Sequence, residues 1–312
     1  MTAVGGPVPR ARPIVCLGDV MVDVVTRLAG ALVPASDSSG AIAIRGGGSA
    51  ANTACWIAST GAPTTLIGAV GRDAFGDWVT AEIAAFDVDA RVVRDERRAT
   101  GVCVVLVAAD GERTMIPDTG ANAGLRAEHL EVQVLRSAAR LHVSGYALLG
   151  AGRHAALAAL RTAREAGVPI SVDAGSSAPI RAVGTTAYFD VLGQHLLLLA
   201  NVDEADVLTG EREPSVAARR LATRIGGEAV VKCGASGAYW SDGREVQHAP
   251  TRPVDALDTT GAGDAFAAGM LVGLRAGVAP LAAMARGNDL ARRACGIVGG
   301  RPEPVESGSP PN

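Results

Sequence analysis

Aromatic residues, lysine and long apolar runs are all scarce in this chain of 312 residues. Phe, Trp and Tyr together make up 3% of the residues. Apolar runs such as 196–200 are too short to span a bilayer. The net charge is −3 and no basic run occurs, so bulk electrostatics give no support to nucleic-acid or anionic-membrane binding. Nearly all the basic residues are arginine, and Lys232 is the only lysine.

Metal and disulfide patterns are also missing. The five cysteines are odd in number and never form a Cys-x-x-Cys pair, and the five histidines show no ligand spacing. These patterns argue against a zinc ribbon and a disulfide framework, and they predict a reducing compartment, the cytoplasm. The first thirteen residues contain no apolar segment of the kind found in signal peptides. Residues 303–312 are rich in Pro, Ser and Gly, which predicts a flexible tail.

Short apolar runs alternate with helical segments along most of the chain. Examples are the runs 14–17 and 169–173 and the helical segments 154–166 and 215–225. This alternation predicts βαβ units, and therefore a largely parallel sheet covered by helices on both faces. We expect one α/β domain over residues 1–312.

Two β-rich insertions, at about 24–46 and 91–120, interrupt this pattern. The second contains the short β segments 101–108 and 113–116, separated by Asp110-Gly111, a sequence typical of a hairpin turn. The insertions are too short to form a domain with its own core. We therefore expect a small sheet lying over the main one.

Polar residues stand at the ends of five predicted strands. They are Asp19, Ser144, Asp173, Asn201 and Gly234. In open α/β sheets, ligands bind at the carboxyl ends of the strands. These residues should therefore line one shared cleft.

The most informative segment is Asp258-Thr259-Thr260-Gly261-Ala262-Gly263-Asp264, directly before a helical run. Small residues let backbone N–H groups approach a ligand closely, and a helix N-terminus favours an anion. Asp264 lies in the first turn, where it could take a proton from a hydroxyl group. Transfer of a phosphoryl group to an alcohol requires this combination. The helix N-terminus is also expected to lower the pKa of Asp264.

A second glycine-rich segment runs from Gly46 to Asn52. It satisfies the dinucleotide pattern G-x-G-x-x-A only weakly, since no acidic residue ends a strand about twenty positions later. Gly47, Gly48 and Asn52 could instead contact a small substrate, or the glycines could form a turn before a packed helix. Asp23 and its neighbour Asp19 fit either the binding of sugar hydroxyls or a solvated turn.

Two further segments allow a functional and an ordinary interpretation. Asn201 and Glu204 could organise Mg²⁺, or they could cap a helix. The segment Lys232–Gly237, which contains Gly234, is a tight turn that could reach nucleotide phosphates, although it is not a Walker A loop. The compact ammonium group of Lys232 suits a phosphate.

Taken together, these motifs resemble the ribokinase-like, or PfkB-type, carbohydrate kinases. The segment 258–264 is similar to their C-terminal signature and 46–76 to their N-terminal one, with N-x-x-E between them at 201–204. The resemblance covers nearly the whole chain. It implies a ribokinase-like three-layer sandwich whose small β-sheet acts as a lid and often serves in dimerisation.

The resemblance also implies a role for each matching residue. Asp264 matches the catalytic base, and Gly261, Ala262 and Gly263 match the anion hole. The other matches are Asp23, Gly47, Gly48 and Asn52 for the substrate, Lys232, Gly234 and Gly237 for ATP, Asn201 and Glu204 for Mg²⁺, and Asp258 and Thr260 for a monovalent cation such as K⁺. The implied reaction transfers the γ-phosphoryl group of ATP to a hydroxyl of a small sugar or sugar derivative.

Some positions depart from the family pattern. Met21 falls where ribose-specific members carry a polar residue, 173–177 lacks the D-x-N-x-R pattern of ketodeoxygluconate kinases, and 295–300 matches the cation loop poorly. A nucleoside kinase on the same fold and a non-catalytic sugar-binding protein are the alternatives. The scarcity of aromatic residues favours a sugar, because few rings could stack on a base.

Overall fold

The computed structural model describes residues 11–108 and 113–303. Its strands, in chain order, are β1 (Ile14–Leu17), β2 (Met21–Leu28), β3 (Gly40–Gly47), β4 (Thr64–Gly71), β5 (Asp89–Asp95), β6 (Gly101–Val107), β7 (Arg113–Asp118), β8 (Arg140–Ser144), β9 (Ile170–Asp173), β10 (Leu197–Asn201), β11 (Glu228–Lys232), β12 (Ala238–Ser241) and β13 (Val246–Ala249). Residues 304–312 of the expected tail and the Asp110-Gly111 turn lie outside the described residues.

The α-helices are α1 (Ser49–Ala58), α2 (Ala74–Ala84), α3 (Val132–Ser137), α4 (Gly145–Leu149), α5 (Arg153–Glu165), α6 (Ser177–Val183), α7 (Thr185–Leu192), α8 (Val202–Thr209), α9 (Pro214–Ile225), α10 (Ala262–Arg275) and α11 (Pro280–Cys295). Short 3₁₀ turns lie at Gly120–Gly124, Ala127–His129 and Gly234–Ser236. Within the described part of the chain, no helix has the length and apolar character needed to cross a membrane.

Nine strands form the large sheet, in the order β13-β12-β11-β10-β9-β8-β1-β4-β5. All neighbouring strands from β11 to β5 run parallel, whereas β12 pairs antiparallel with both β11 and β13. Along β1, Ile14 and Cys16 pack with α1, α2, α10 and α11, whereas Val15 and Leu17 pack with the helices of the opposite face. Burial on both faces explains why β1 is apolar throughout. The expected three-layer α/β fold is confirmed.

The small sheet has the strand order β3-β2-β6-β7. Its strands β6 and β7 pair antiparallel, as expected for the segments on either side of Asp110-Gly111. It starts at Met21 rather than near 24, and the segment 91–95 does not belong to it. That segment lies in β5, which pairs with β4 at the edge of the large sheet, where Ala90 and Val92 pack on the core.

Candidate active site

A cleft of about 310 Å³ opens at the carboxyl ends of the parallel strands. Of the five predicted strand-end residues, Asp19, Asp173 and Asn201 line it. Ser144 lies directly behind Asp19 and donates a hydrogen bond of 2.9 Å to its Oδ1. Gly234 is not among the lining residues. The expectation of a shared cleft therefore holds for three of the five positions, and it holds there because parallel strands bring their ends to one edge.

The N-terminus of α10 forms one wall of this cleft. Gly261 precedes the helix with φ = 73°, and no side chain caps the helix. Ala262 N–H reaches Thr259 O at 3.3 Å. Among the hydrogen bonds of the described residues, none uses the N–H of Gly263 or Asp264. These donors and the helix dipole make the segment able to receive an anion.

Asp264 lies in the first turn of α10 and is half-buried. Its Oδ1 accepts a hydrogen bond of 2.8 Å from Ser49 Oγ, and its Oδ2 accepts one of 3.1 Å from Asn52 Nδ2. Both donors come from the first two turns of α1. The carboxylate is thereby held next to the anion-accepting segment in a fixed orientation.

The pKa of Asp264 is raised to about 7, so the expectation that the helix N-terminus would lower it is wrong. Burial raises this pKa most, and the charge of Asp173 raises it further. The hydrogen bonds from Ser49 and Asn52 and the charge of Lys232 lower it only in part. The shift places the group near neutrality, where a general base works best.

Asp23 and Asn52 both line the cleft. Asp23 is 5% exposed, and burial raises its pKa to about 6. Gly47 leaves room for this carboxylate, because a Cβ there would overlap it. Gly48 has φ = 91°, and a Cβ there would overlap the backbone of Asp19. Gly47 and Gly48 are thus required by close packing around the acids, and only Gly48 of the two lines the cleft.

Lys232 projects into the cleft rather than into the turn that follows it. Its Nζ lies 2.7 Å from Asp173 Oδ2, and a Cβ at Gly263 would be 3.3 Å from the same nitrogen. Burial alone would lower the pKa of Lys232, but the charges of Asp173 and Glu204 outweigh burial and raise it. The ammonium group therefore stays charged beside the start of α10. Gly234 begins the 3₁₀ turn and Gly237 follows it, and neither glycine lines the cleft.

Asn201 and Glu204 form a capping box at the start of α8. Glu204 N–H donates to Asn201 Oδ1, and the Glu204 carboxylate accepts from Asn201 N and Nδ2, each at 2.8 Å. The ordinary interpretation as a helix cap therefore holds, whereas the Mg²⁺ role stays a prediction. Burial and the charge of Asp173 raise the pKa of Glu204 to about 7. In the ranges 11–108 and 113–303, no group of three or more His, Cys, Asp or Glu is placed to hold a metal ion.

Asp258 anchors the loop that leads into α10. Its Oδ1 accepts from Thr260 N–H at 2.9 Å, and its Oδ2 accepts from Gly299 N–H at 2.9 Å. Arg113, from the small sheet, places Nη2 2.9 Å from the same Oδ1 and donates from Nη1 to Thr259 Oγ1 at 2.8 Å. Burial raises the pKa of Asp258, but these N–H donors and the Arg113 charge together lower it below its ordinary value.

Several residues of the site were not predicted from sequence, among them Ser49, Arg113 and Arg301. Arg301 is buried and donates to Asn52 Oδ1, Glu82 Oε2 and Gly47 O. Its partners lie more than 200 positions away, so no local pattern marks it. Ser49 directly follows the glycine run, and its position at the start of a helix was the one available signal.

The comparisons with known proteins agree with this geometry. The sequence profile of the pfkB family carbohydrate kinases matches residues 11–306, and the chain belongs to this family. An ATP-dependent ribose-1-phosphate kinase of Halopiger xanaduensis is 36% identical over 72% of each chain. A fructokinase of Klebsiella pneumoniae is 32% identical over 90% of this chain and 91% of its own. The crystal structure of adenosine kinase from Sinorhizobium meliloti superposes with a TM-score of 0.85 at 25% identity, covering 94% of this chain and 96% of that one. The protein is a sugar kinase with the ribokinase-like fold.

Proposed function

We propose that the protein transfers the γ-phosphoryl group of ATP to a hydroxyl of a small neutral sugar, with Asp264 as the general base. The observation that carries this proposal is the position of the Asp264 carboxylate, beside the N–H groups that open α10 and at the wall of the cleft. The hydroxyl proton passes to Asp264 as the hydroxyl oxygen bonds to phosphorus and the bond to the ADP oxygen breaks. Phosphoryl transfer needs mainly positioning and charge stabilisation.

The backbone N–H groups of Gly261, Ala262 and Gly263 would stabilise the charge on the phosphoryl oxygens during transfer. Lys232 supports this role, because its ammonium group lies beside Gly263. We therefore assign Lys232 to the transferred phosphoryl group rather than to the turn containing Gly234 and Gly237. That turn, at the end of β11, remains a candidate for contact with the rest of ATP.

The charge balance of the cleft favours a nucleotide that carries a divalent cation. Among the described residues, five acids line the cleft against one base: Asp19, Asp23, Asp173, Glu204 and Asp264 against Lys232. A free ATP anion would be repelled by this set, and Mg²⁺ supplies the charge that neutralises the phosphates. Asn201 and Glu204 would hold the ion through its waters, because the Glu204 oxygens already accept N–H donors from Asn201.

The acceptor half of the cleft suits a molecule with hydroxyls on one side and C–H groups on the other. Asp23 and Asn52 offer polar contacts, while Met21, Met115 and Pro117 of the small sheet form an apolar wall. Tyr146 is the one aromatic residue among the described lining residues. This composition favours a sugar over a nucleoside, and the acidic surroundings disfavour an acceptor that already carries a phosphate.

The monovalent cation at Asp258 and Thr260 has the least support within this proposal. Both oxygens of Asp258 accept backbone N–H groups, and the guanidinium of Arg113 already brings a positive charge to Oδ1. We expect the guanidinium group of Arg113 to make turnover insensitive to K⁺.

The five cysteines are free in the structure, which supports a reducing compartment such as the cytoplasm. The net charge of −3 and the lack of a basic run in the sequence give no support to a nucleic-acid or membrane partner.

The test is an ADP-release assay with Mg²⁺-ATP and a panel of pentoses, hexoses, sugar phosphates and nucleosides, run with and without K⁺. We expect ADP formation with at least one neutral sugar, a product heavier by one phosphoryl group, and no effect of K⁺. Samples without acceptor provide the control. Phosphorylation of nucleosides alone would replace this proposal with a nucleoside kinase. A thermal shift with a sugar but no ADP would indicate a non-catalytic sugar-binding protein.

The small sheet is proposed as a lid and as the interface of a homodimer. Its inner face lines the cleft through Asp23, Cys103 and Pro117. Its outer face carries an uncharged apolar row across all four strands, formed by Ile44, Val24, Val104 and Ile116. Ile44 is 45% exposed and Ile116 is 56% exposed. A second copy of the same sheet is the occupant we propose, because an apolar row with no charged residue is suited to burial against another apolar surface.

We expect the wild-type chain to be a dimer at micromolar concentration and the double variant Ile44→Glu/Ile116→Glu to be a monomer. Charged side chains at both ends of the row would have to be desolvated without a partner. Size-exclusion chromatography with light scattering measures the change. Leu281→Glu is the matched control, since Leu281 is 46% exposed on α11, outside the small sheet, and should leave the mass unchanged. A monomeric wild type would refute the interface.

A further inference from the structure

We infer that Arg301 is a positioning residue for the general base and that it acts through the amide of Asn52. This inference rests on the proposed function, since it concerns how Asp264 is kept ready to accept a proton. It adds a buried arginine from the C-terminal end of the described chain, together with its partner Glu82 in α2, to the machinery of the site.

The contacts form a continuous chain from Glu82 to the base. Arg301 Nη1 lies 2.7 Å from Glu82 Oε2, and Arg301 Nε donates to Asn52 Oδ1 at 3.3 Å. Asn52 Nδ2 then donates to Asp264 Oδ2 at 3.1 Å. The remaining arginine nitrogen, Nη2, donates to Gly47 O at 2.8 Å. Each link is a single hydrogen bond or ion pair with a clear donor and a clear acceptor.

The chemistry of arginine fixes the orientation of the Asn52 amide. A guanidinium group only donates, so the group that faces it must be the amide oxygen. The amide nitrogen must then point toward Asp264, where it donates to the carboxylate. Without Arg301, the amide could turn over and place its oxygen against the Asp264 oxygen, which would repel it. Arg301 therefore selects the one amide orientation that supports the base.

Burial indicates that this arrangement is a built feature of the fold. The Arg301 side chain is 3% exposed, and the Glu82 side chain is 25% exposed. A charge removed from water is tolerated only when it is paired and well hydrogen-bonded. Gly46 leaves space for both groups, because a Cβ there would overlap Arg301 and Glu82. Asn52 is itself 4% exposed, so water cannot readily replace a lost contact.

Several other groups act on Asp264 besides those of α1. Asp173 at the end of β9 and Lys232 at the end of β11 face it from the strand ends and shift its pKa in opposite directions. Cys16 of β1 and Tyr146 of α4 lie close enough for the Asp264 charge to raise their pKa values. Because these groups stay in place when Arg301 is changed, a shift in the titration of Asp264 would report on the Asn52 link.

The experiment compares Arg301→Gln, Arg301→Lys and the charge-balanced double variant Arg301→Gln/Glu82→Gln. We expect Arg301→Gln to lower kcat by about 10- to 100-fold, because small misplacements of catalytic groups have effects of that size. The pKa on the acid side of the pH–kcat profile should rise. Arg301→Lys should have a kcat close to that of Arg301→Gln, since an ammonium group cannot replace the planar guanidinium group. Arg91→Gln, which removes an exposed ion pair, is the control and should change neither kcat nor the profile.

A double-mutant cycle with Asn52→Ala tests the route of the effect. If Arg301 acts through Asn52, Arg301→Gln should add little to the loss already caused by Asn52→Ala. An equal loss in both backgrounds, or a lower melting temperature with an unchanged pH profile, would overturn the inference. Where Arg301→Gln fails to fold, the charge-balanced double variant takes its place.

A titration without substrate separates this inference from the proposed function. The ¹³C signal of the Asp264 carboxyl carbon, assigned by its loss in Asp264→Asn, gives the pKa of Asp264 directly. Its pKa should rise in Arg301→Gln whether or not the acceptor sugar has been identified. An unchanged pKa would refute the positioning role, whereas absence of kinase activity in the wild-type chain would refute only the proposed function.

Discussion

Replacing Asp264 by Asn is expected to lower kcat by about 10²- to 10⁴-fold, the contribution usual for a general base. Asn has nearly the shape of Asp and can keep the contact with Ser49 Oγ, but its amide cannot take up the hydroxyl proton. The measurement is ADP release with the sugar identified by the panel. Asp289→Asn, at a carboxylate whose side chain is 74% exposed on α11, is the matched control. Near wild-type turnover in Asp264→Asn would contradict the assignment of the base.

The titration of Asp264 gives this prediction a pH dependence. The base must be ionised to accept a proton, and its pKa is raised to about 7. We therefore expect kcat/KM of the wild-type chain to fall as the pH decreases below about 7 and to level off above it. A profile without this acid limb would show that another group accepts the proton.

The substitution Asp264→Asn should also stabilise the folded chain at alkaline pH. The pKa of Asp264 in the fold lies above its ordinary value of 3.8, so this group's contribution is most favourable at low pH and is lost as the pH rises toward 7. One pKa unit corresponds to about 1.4 kcal/mol. Because the carboxylate is only half-buried, solvent screening reduces the effect, and we expect on the order of 1 to 2 kcal/mol at pH 8. Thermal unfolding at pH 5 and pH 8 checks the sign.

Gly261→Ala is expected to lower kcat by about 10²- to 10³-fold, the loss typical when a donor of an anion hole is removed. Gly261 has φ = 73°, and a Cβ there would lie 2.5 Å from the backbone Cα of Gly300. The loop must therefore shift, which moves the N–H groups of Ala262 and Gly263 away from the phosphoryl position.

Gly277→Ala is the control for this prediction. Gly277 follows the other end of α10 with φ = 76°, and a Cβ there would meet no atom within 4 Å. Both variants carry the strain of a non-glycine residue at positive φ, roughly 1 to 3 kcal/mol. Only Gly261→Ala disturbs the anion-accepting segment. If the two variants had the same kcat, the role of this segment would have to be abandoned.

Local features of the site could be predicted from the sequence, because they depend on neighbouring residues. The position of Asp264 in the first turn of a helix follows from the small residues before it. The predicted helical segments 154–166 and 215–225 lie within one residue of the observed helices Arg153–Glu165 and Pro214–Ile225. The strand ends form one cleft because parallel topology requires it. In contrast, β5 was assigned to the small sheet, since an edge strand with charged residues resembles an exposed one.

Features that depend on distant contacts could not be predicted. The pKa of Asp264 was expected to fall because only its own helix was considered, whereas burial and Asp173 of β9 control it. Arg113 and Arg301 each join segments more than 100 positions apart. Lys232 was placed with the turn after β11, although its side chain extends from the last strand residue toward Asp173.

The single lysine also has a practical consequence for chemical labelling. An amine-reactive reagent finds one side chain to modify, and that side chain is 14% exposed and ion-paired with Asp173. The rate at which Lys232 is acylated would therefore report how often this part of the cleft opens to solvent. Mass spectrometry of the one peptide that contains Lys232 would measure that rate. Reductive methylation with ¹³C-formaldehyde would place one side-chain probe for magnetic resonance beside the start of α10, without any engineered residue.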